Sequence, residues 1–306
     1  MKFPSTVLEF QALYPDEEAC WKALRRTRWP RGFVCPRCGH RSSSWIATRR
    51  LEQCRTCRYQ CSLTAGTVFH RTQTPLRIWF WGIFFVSRHK QGISALQFQR
   101  DTGLGSYQTA WTMLHKIRSA LRPHSSHRLT GVVEVDEAYV GSREIGRRGG
   151  RQAGNKTLVV AAVEQREGHA GRARLGAVEG VSFKRDLGPF VLGVIDVEET
   201  VLHTDGFGAY YGFPKAGVRT KQQIQGNPRR AGEILPWVHR VFGNLKNWIR
   251  GTFHGVSRKH MQCYLDEFVY RFDRRWREVE VFEFVLQRAL RGDPLPYHRL
   301  VAEAVG

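Results

Sequence analysis

Apolar positions along this chain change their period near residue 125. Before that point the spacing is helical. Asp16 to Arg26 reads as a short helix, with Asp16, Glu17 and Glu18 in its first turn and Arg25 and Arg26 in its last, the order a helix dipole favours. The run Trp79 to Val86 (WFWGIFFV), after Pro75, predicts one largely apolar, buried helix. Two shorter amphipathic helices are expected at Ser94 to Arg100 and Ser106 to Ala120, joined by Thr102-Gly103-Leu104-Gly105. In the second, Trp111, Leu114, Ile117 and Leu121 recur at helical spacing and should face a core, with Ser106 placed to cap it.

Beyond Pro123 to Ser126 the pattern becomes strand-like. Val132 to Val140, Leu158 to Val163 and Arg174 to Val178 predict three strands, and Asp186 to Val194 a helix. A fourth strand, Thr200 to His203, runs into Asp205-Gly206, and two helical regions follow at His239 to Thr252 and Lys259 to Leu290. The chain therefore divides into segments 1–65, 66–125, 126–290 and a tail, 291–306. It contains no internal repeat and no low-complexity tract. The basic, glycine-rich loop 143–156, with Arg147 and Arg148, is expected to be mobile or to face DNA.

Charge narrows the partners. Among 306 residues, 48 Lys and Arg against 27 acids give a net charge of +21, which draws the chain to polyanions, nucleic acid first. A membrane is the weaker reading, because the most apolar run falls well short of the roughly 20 residues that span a bilayer. MKFPSTVLEF lacks the apolar core of a secretory signal, so a cytoplasmic, nucleoid-associated protein is expected.

Cysteine spacing supplies the first candidate chemistry. Cys35-Pro-Arg-Cys38 and Cys54-Arg-Thr-Cys57 are two CxxC units with 15 residues between them. Two such turns complete a tetrahedron of thiolates suited to structural Zn²⁺, with no open position for catalysis. Gly39 fits the left-handed bend after the first turn. Two disulfides or a redox-active CxxC are the alternatives, but no βαβ context supports the latter. Cys61 reads as a packed thiol and His40 as a surface residue. Residues 22 to 60 hold eleven Lys or Arg, Arg37 and Arg55 among them, and one acid, Glu52. That density implies phosphate contact, or else a solvated basic face.

The helices at 94–120 have helix-turn-helix proportions. Gln108, Thr109, Thr112, His115 and Lys116 form the face suited to a DNA groove. Farther on, Asp136 lies late in one strand and Asp205 just past another. If those strands are neighbours, the pair can hold Mg²⁺ (or Mn²⁺) for phosphodiester attack. Three strands, a helix, an acid-bearing strand and then helices is the order of an RNase H-like α/β fold.

Several long motifs carry a resemblance over nearly all of the chain: RWPRGFVCPRCGH (28–40), VEVDEAYVG (133–141), NKTLVVAAVE (155–164), HTDGFGAYYGF (203–213), HRVFGNLKNWIRGTFHGVSRKH (239–260) and YLDEFVYRFDRR (264–275). The chain resembles bacterial insertion-sequence transposases of the DDE superfamily whose amino terminus carries a zinc ribbon. The resemblance implies a zinc ribbon, a helix-turn-helix-like region and an RNase H-like catalytic domain with a mixed sheet flanked by helices. It implies Asp136 and Asp205 as the first two catalytic acids. The third position falls on the helix after them, where this chain has Asn244; Glu267 is the alternative, although Asp266 and Glu267 can instead pair with Arg271 and Arg274. Lys246 and Arg250 add cations for phosphate on the Asn244 helix. The implied activity is metal-dependent cleavage and transfer of double-stranded DNA at terminal inverted repeats, by at least a dimer. A non-catalytic DNA-binding regulator derived from a transposase is the second reading.

Overall fold

The computed structural model describes residues 4–123, 126–141, 156–223, 231–276 and 281–302. They form two compact units: the chain up to Leu121 together with the carboxy-terminal segment ending at Ala302, and Arg122–Trp276.

The first unit opens with α1 (Val7–Leu13), closed by a Thr6/Glu9 capping box, and α2 (Glu17–Arg28), whose Asp16 cap accepts from Ala19 N–H at 2.8 Å. A small antiparallel sheet follows, β1 (Ser43–Ile46), β2 (Leu51–Cys54) and β3 (Gln60–Ser62). Next come α3 (Leu76–Arg88), α4 (Ala95–Thr102) and α5 (Tyr107–Ser119). Glu17 reaches from α2 to accept from the N–H groups of Leu76 and Arg77 at 2.8 and 2.9 Å, so α2 caps α3. Gly82 lets α3 approach α5, since a Cβ there would lie 2.9 Å from Ile117.

The second unit is a five-stranded mixed sheet. The strands β4 (Leu129–Val140), β5 (Thr157–Arg166) and β6 (His169–Val178) form an antiparallel meander. A π-helical turn, Phe183–Leu187, leads through α6 (Gly188–Val194) to β7 (Ile195–Asp205). A 3₁₀ turn and α7 (Gly212–Lys215) then lead to β8 (Arg219–Gln223). The order is β6-β5-β4-β7-β8, with β7 parallel to both β4 and β8. After α8 (Ala231–Ile234) come α9 (Pro236–Trp248), prolonged by a π-helical turn to Phe253, and α10 (Met261–Asp273). One sheet face packs on α9 and α10; the other packs on α6 and the segment after β7. This is the expected RNase H-like order.

Two boundaries differ from the sequence reading. The region read as helical from Lys259 to Leu290 contains two helices, and the second, α11 (Val281–Arg291), packs on α2 and α3 of the first unit. Phe282 anchors it there among Phe10, Tyr14 and Phe80. The sheet unit thus ends at Trp276 rather than 290, and the segments drawn as 1–65 and 66–125 pack as one body. In the tail, α12 (Tyr297–Ala302) packs near α5.

Candidate active site and metal centre

The two CxxC turns are built alike. In each, the first cysteine N–H bonds the carbonyl five residues on (Cys35 to His40, Cys54 to Tyr59, both 2.9 Å), and its carbonyl accepts from the residue four on. That fourth residue has positive φ in both turns: Gly39 at 73° and Arg58 at 59°. Glycine was the legible half, because Arg58 adopts the left-handed conformation without a sequence signal. The sulfurs of Cys35, Cys38, Cys54 and Cys57 all lie within 4.8 Å of one another. Cys35–Cys57 and Cys38–Cys54 are 3.6 and 3.7 Å apart, close to the roughly 3.8 Å edge of a tetrahedron with 2.3 Å Zn–S bonds. The Cys57 backbone N–H, aided by that of Thr56, pulls the Cys54 thiol down to about 6 against the effect of burial, towards the thiolate a metal binds. The cluster fits a structural zinc. Cys61 is a buried thiol outside it, and His40 is exposed, as expected. Beneath the sheet, Glu52 is fully buried and takes hydrogen bonds from Arg25 and from Ser43 Oγ, the latter at 2.7 Å.

The aspartates stand on neighbouring strands. Val132, Val133 and Glu134 of β4 pair in parallel with Val201, Leu202 and His203 of β7. Continuing that register two residues sets Asp136 level with Asp205. Alternation puts Val133 and Val135 in the core beneath and turns Glu134 and Asp136 to the α9 face. Asp205 Oδ1 accepts from Phe207 N–H at 3.0 Å, a local turn that fixes its carboxylate where β7 ends.

The third expected residue, Asn244, is exposed on α9. On the same helix, His239 Nε2 lies 3.9 Å from Asp136 Oδ2. Lys246, seven residues on, returns to within about 20° of the same helix face, whereas Asn244 is turned about 140° from His239. Burial lowers the Lys246 pKa while Asp136 opposes the shift, so the two groups feel one another. Glu267 lies in α10, which packs on β6, two strands from β4. It is fully buried and paired with Arg271 at 2.8 Å, the structural role anticipated for it. Asp266 takes Gln262 Nε2 at 2.9 Å and lies 3.8 Å from Arg122, while Arg274 stacks on Tyr270. The one local sign of His239 was its seven-residue offset from Lys246, since its partner Asp136 lies a hundred residues earlier.

Of the residues expected to contact DNA, Arg37, Arg55, Gln108 and Arg250 are exposed, and Thr109, Thr112, Lys116 and Lys246 are half-buried. Ser106 Oγ caps α5 as expected, accepting from Thr109 N–H at 3.4 Å. His115 does not belong to that face: it is buried, its ring 3.9 Å from that of Trp111. Arg147 and Arg148 lie outside the described residues.

A four-cysteine ribbon ahead of a mixed sheet of this order is the architecture expected of a DDE-type transposase. The chain matches the ISXO2-like transposase domain over residues 128–273 and the transposase zinc-ribbon domain over residues 15–60, together more than half its length. It belongs to the insertion-sequence transposases assembled from these two domains, which implies a DNA partner. It is also 27% identical to an uncharacterized protein in transposable element ISH50 of Halobacterium salinarum, over 90% of this chain and 98% of that protein. Among the described residues no helix is long and apolar enough to cross a membrane.

Proposed function

We propose that the chain is an active transposase that binds the terminal inverted repeats of its own element, cleaves a strand at each end and joins the freed 3′-hydroxyl to target DNA. The parallel β4–β7 register that sets Asp136 level with Asp205 carries this reading. Carboxylate oxygens on adjacent strands suit a hard divalent cation, which in the bound state supplies the Lewis acidity for attack on a phosphodiester. Asp136 and Asp205 hold that charge. His239, in place of Asn244, takes the third position, and Lys246 and Arg250 hold the scissile phosphate from α9. Arg37 and Arg55 on the cysteine turns, with Gln108, Thr109, Thr112 and Lys116 on α5, grip the repeat. Arg147 and Arg148 add charge for the flanking duplex. Two ends must meet for joining, so the active species is at least a dimer.

The test is a plasmid carrying both ends of the element, incubated with the full-length protein and Mg²⁺ or Mn²⁺. Strand breaks at the outermost nucleotides, ending in 3′-hydroxyls, are expected. Footprinting of the repeats with no breaks in either metal would favour the regulator reading instead.

A further inference from the structure

The strand that bears Asp136 carries a second carboxylate on the same face, Glu134, and it is 1% exposed. A buried charge on a strand is expensive unless it is paired. Its partners are backbone groups: Oε2 accepts from Trp237 N–H at 2.8 Å and Val238 N–H at 2.9 Å, both in the first turn of α9. That turn has no cap of its own. Leu235 precedes it without a side-chain hydrogen bond, and Pro236 has no N–H to give. The sheet therefore caps the helix across a hundred residues of sequence, and negative charge suits that end of the helix dipole.

Apolar contacts also hold α9 to the sheet, through Val238, Val241, Phe242 and Leu245. Such contacts fix distance better than rotation or register, since apolar surfaces can repack. One oxygen shared by two adjacent N–H groups fixes both. The residue after Val238 is His239, beside Asp136, and Lys246 follows on the same helix face.

We propose that Glu134 is a positioning residue: it pins the first turn of α9 so that His239 and Lys246 stand over Asp136. The inference rests on the reading of Asp136 and His239 as one active site.

The experiment compares full-length wild type, Glu134→Gln and Glu134→Ala on DNA carrying the element ends. The Gln amide oxygen can accept from both N–H groups, so Glu134→Gln should keep cleavage within about 5-fold. Glu134→Ala should lose cleavage on the order of 100-fold, the scale of a displacement near 1 Å. End binding should change less than about 2-fold in both, because the side chains that grip the repeat lie on the cysteine turns and α5 and only the scissile phosphate meets α9. Amide hydrogen exchange supplies a readout independent of activity. Trp237 and Val238 should exchange at least about 10-fold faster in Glu134→Ala than in Glu134→Gln, with Val241 to Leu245 still protected.

Unchanged exchange, a fully active Glu134→Ala, or a folded Glu134→Gln as inactive as Glu134→Ala would each overturn the proposal. If Glu134→Ala does not fold, Glu134→Gln decides it: activity and protected amides support it, and their loss ends it. Wild type that does not cut would refute the transposition reading, while the exchange data would still report on the pin.

Discussion

Tyr210 donates its hydroxyl to Glu137 Oε2 at 2.5 Å, and so ties the turn after β7 to the strand that carries Asp136. The ring is buried in the core below the sheet, on the face opposite the aspartates. Burial, reinforced by Glu137, raises the hydroxyl well above its ordinary pKa, so it stays a donor at neutral and alkaline pH. Tyr210→Phe should lower stability by about 1–3 kcal/mol. Because the bond persists, that deficit in thermal unfolding should stay level between about pH 6 and pH 9.

A pH-dependent contribution is expected at the β5–β6 hairpin. Burial of Glu164 would raise its pKa, but Arg172, through its guanidinium and backbone N–H, and Thr130 N–H outweigh that and hold it below the ordinary range. A depressed carboxyl pKa stabilises the fold fully above the unfolded value, near 4.3, and the gain fades as pH falls through the folded value. Glu164→Gln should therefore cost about 1–3 kcal/mol at pH 7 and progressively less below about pH 4. A deficit that grows on acidification would contradict the assignment.

The cysteine cluster predicts one zinc per chain. Cys54→Ser should release it and unfold the ribbon, because a structural metal contributes its binding energy to folding. Metal analysis of the purified variant checks this. Zinc retained at the wild-type ratio, or none in wild type, would refute the four-thiolate centre.

Sequence alone conveyed those features whose determinants are local. Paired CxxC spacing placed the metal centre, and Asp16 and Ser106 announced helix starts. What it missed depends on contacts distant in sequence. The edge strand β8, RTKQQ, has no apolar alternation, because its partly buried positions are Thr220 and Gln222. His115 is the exception, since it stands four residues after Trp111 and so shares the core-facing side of α5. The periodicity of α11 identified a helix but not the unit that buries it, and the α9 face that meets Asp136 depends on the sheet.

That face makes the third position testable by metal preference. A nitrogen ligand suits a first-row transition ion better than Mg²⁺, which prefers oxygen. Wild type should cut faster with Mn²⁺ than with Mg²⁺, and His239→Glu should shift the preference towards Mg²⁺. His239→Ala should lose cleavage on the order of 100-fold or more, while Asn244→Ala keeps it within a few-fold. The reverse pattern would restore Asn244 to the site.

The most direct measurement compares cleavage and binding in the two aspartate variants. Asp136→Ala and Asp205→Ala are assayed on labelled DNA carrying the terminal repeats, with band shifts for binding and strand scission in Mg²⁺ or Mn²⁺ for chemistry. Each removes one carboxylate proposed to hold the cations, while the cationic side chains proposed to grip phosphate remain. Binding within about 2-fold of wild type, with scission lost in both metals, is the expected result. Scission retained by either variant would contradict a site built on Asp136 and Asp205.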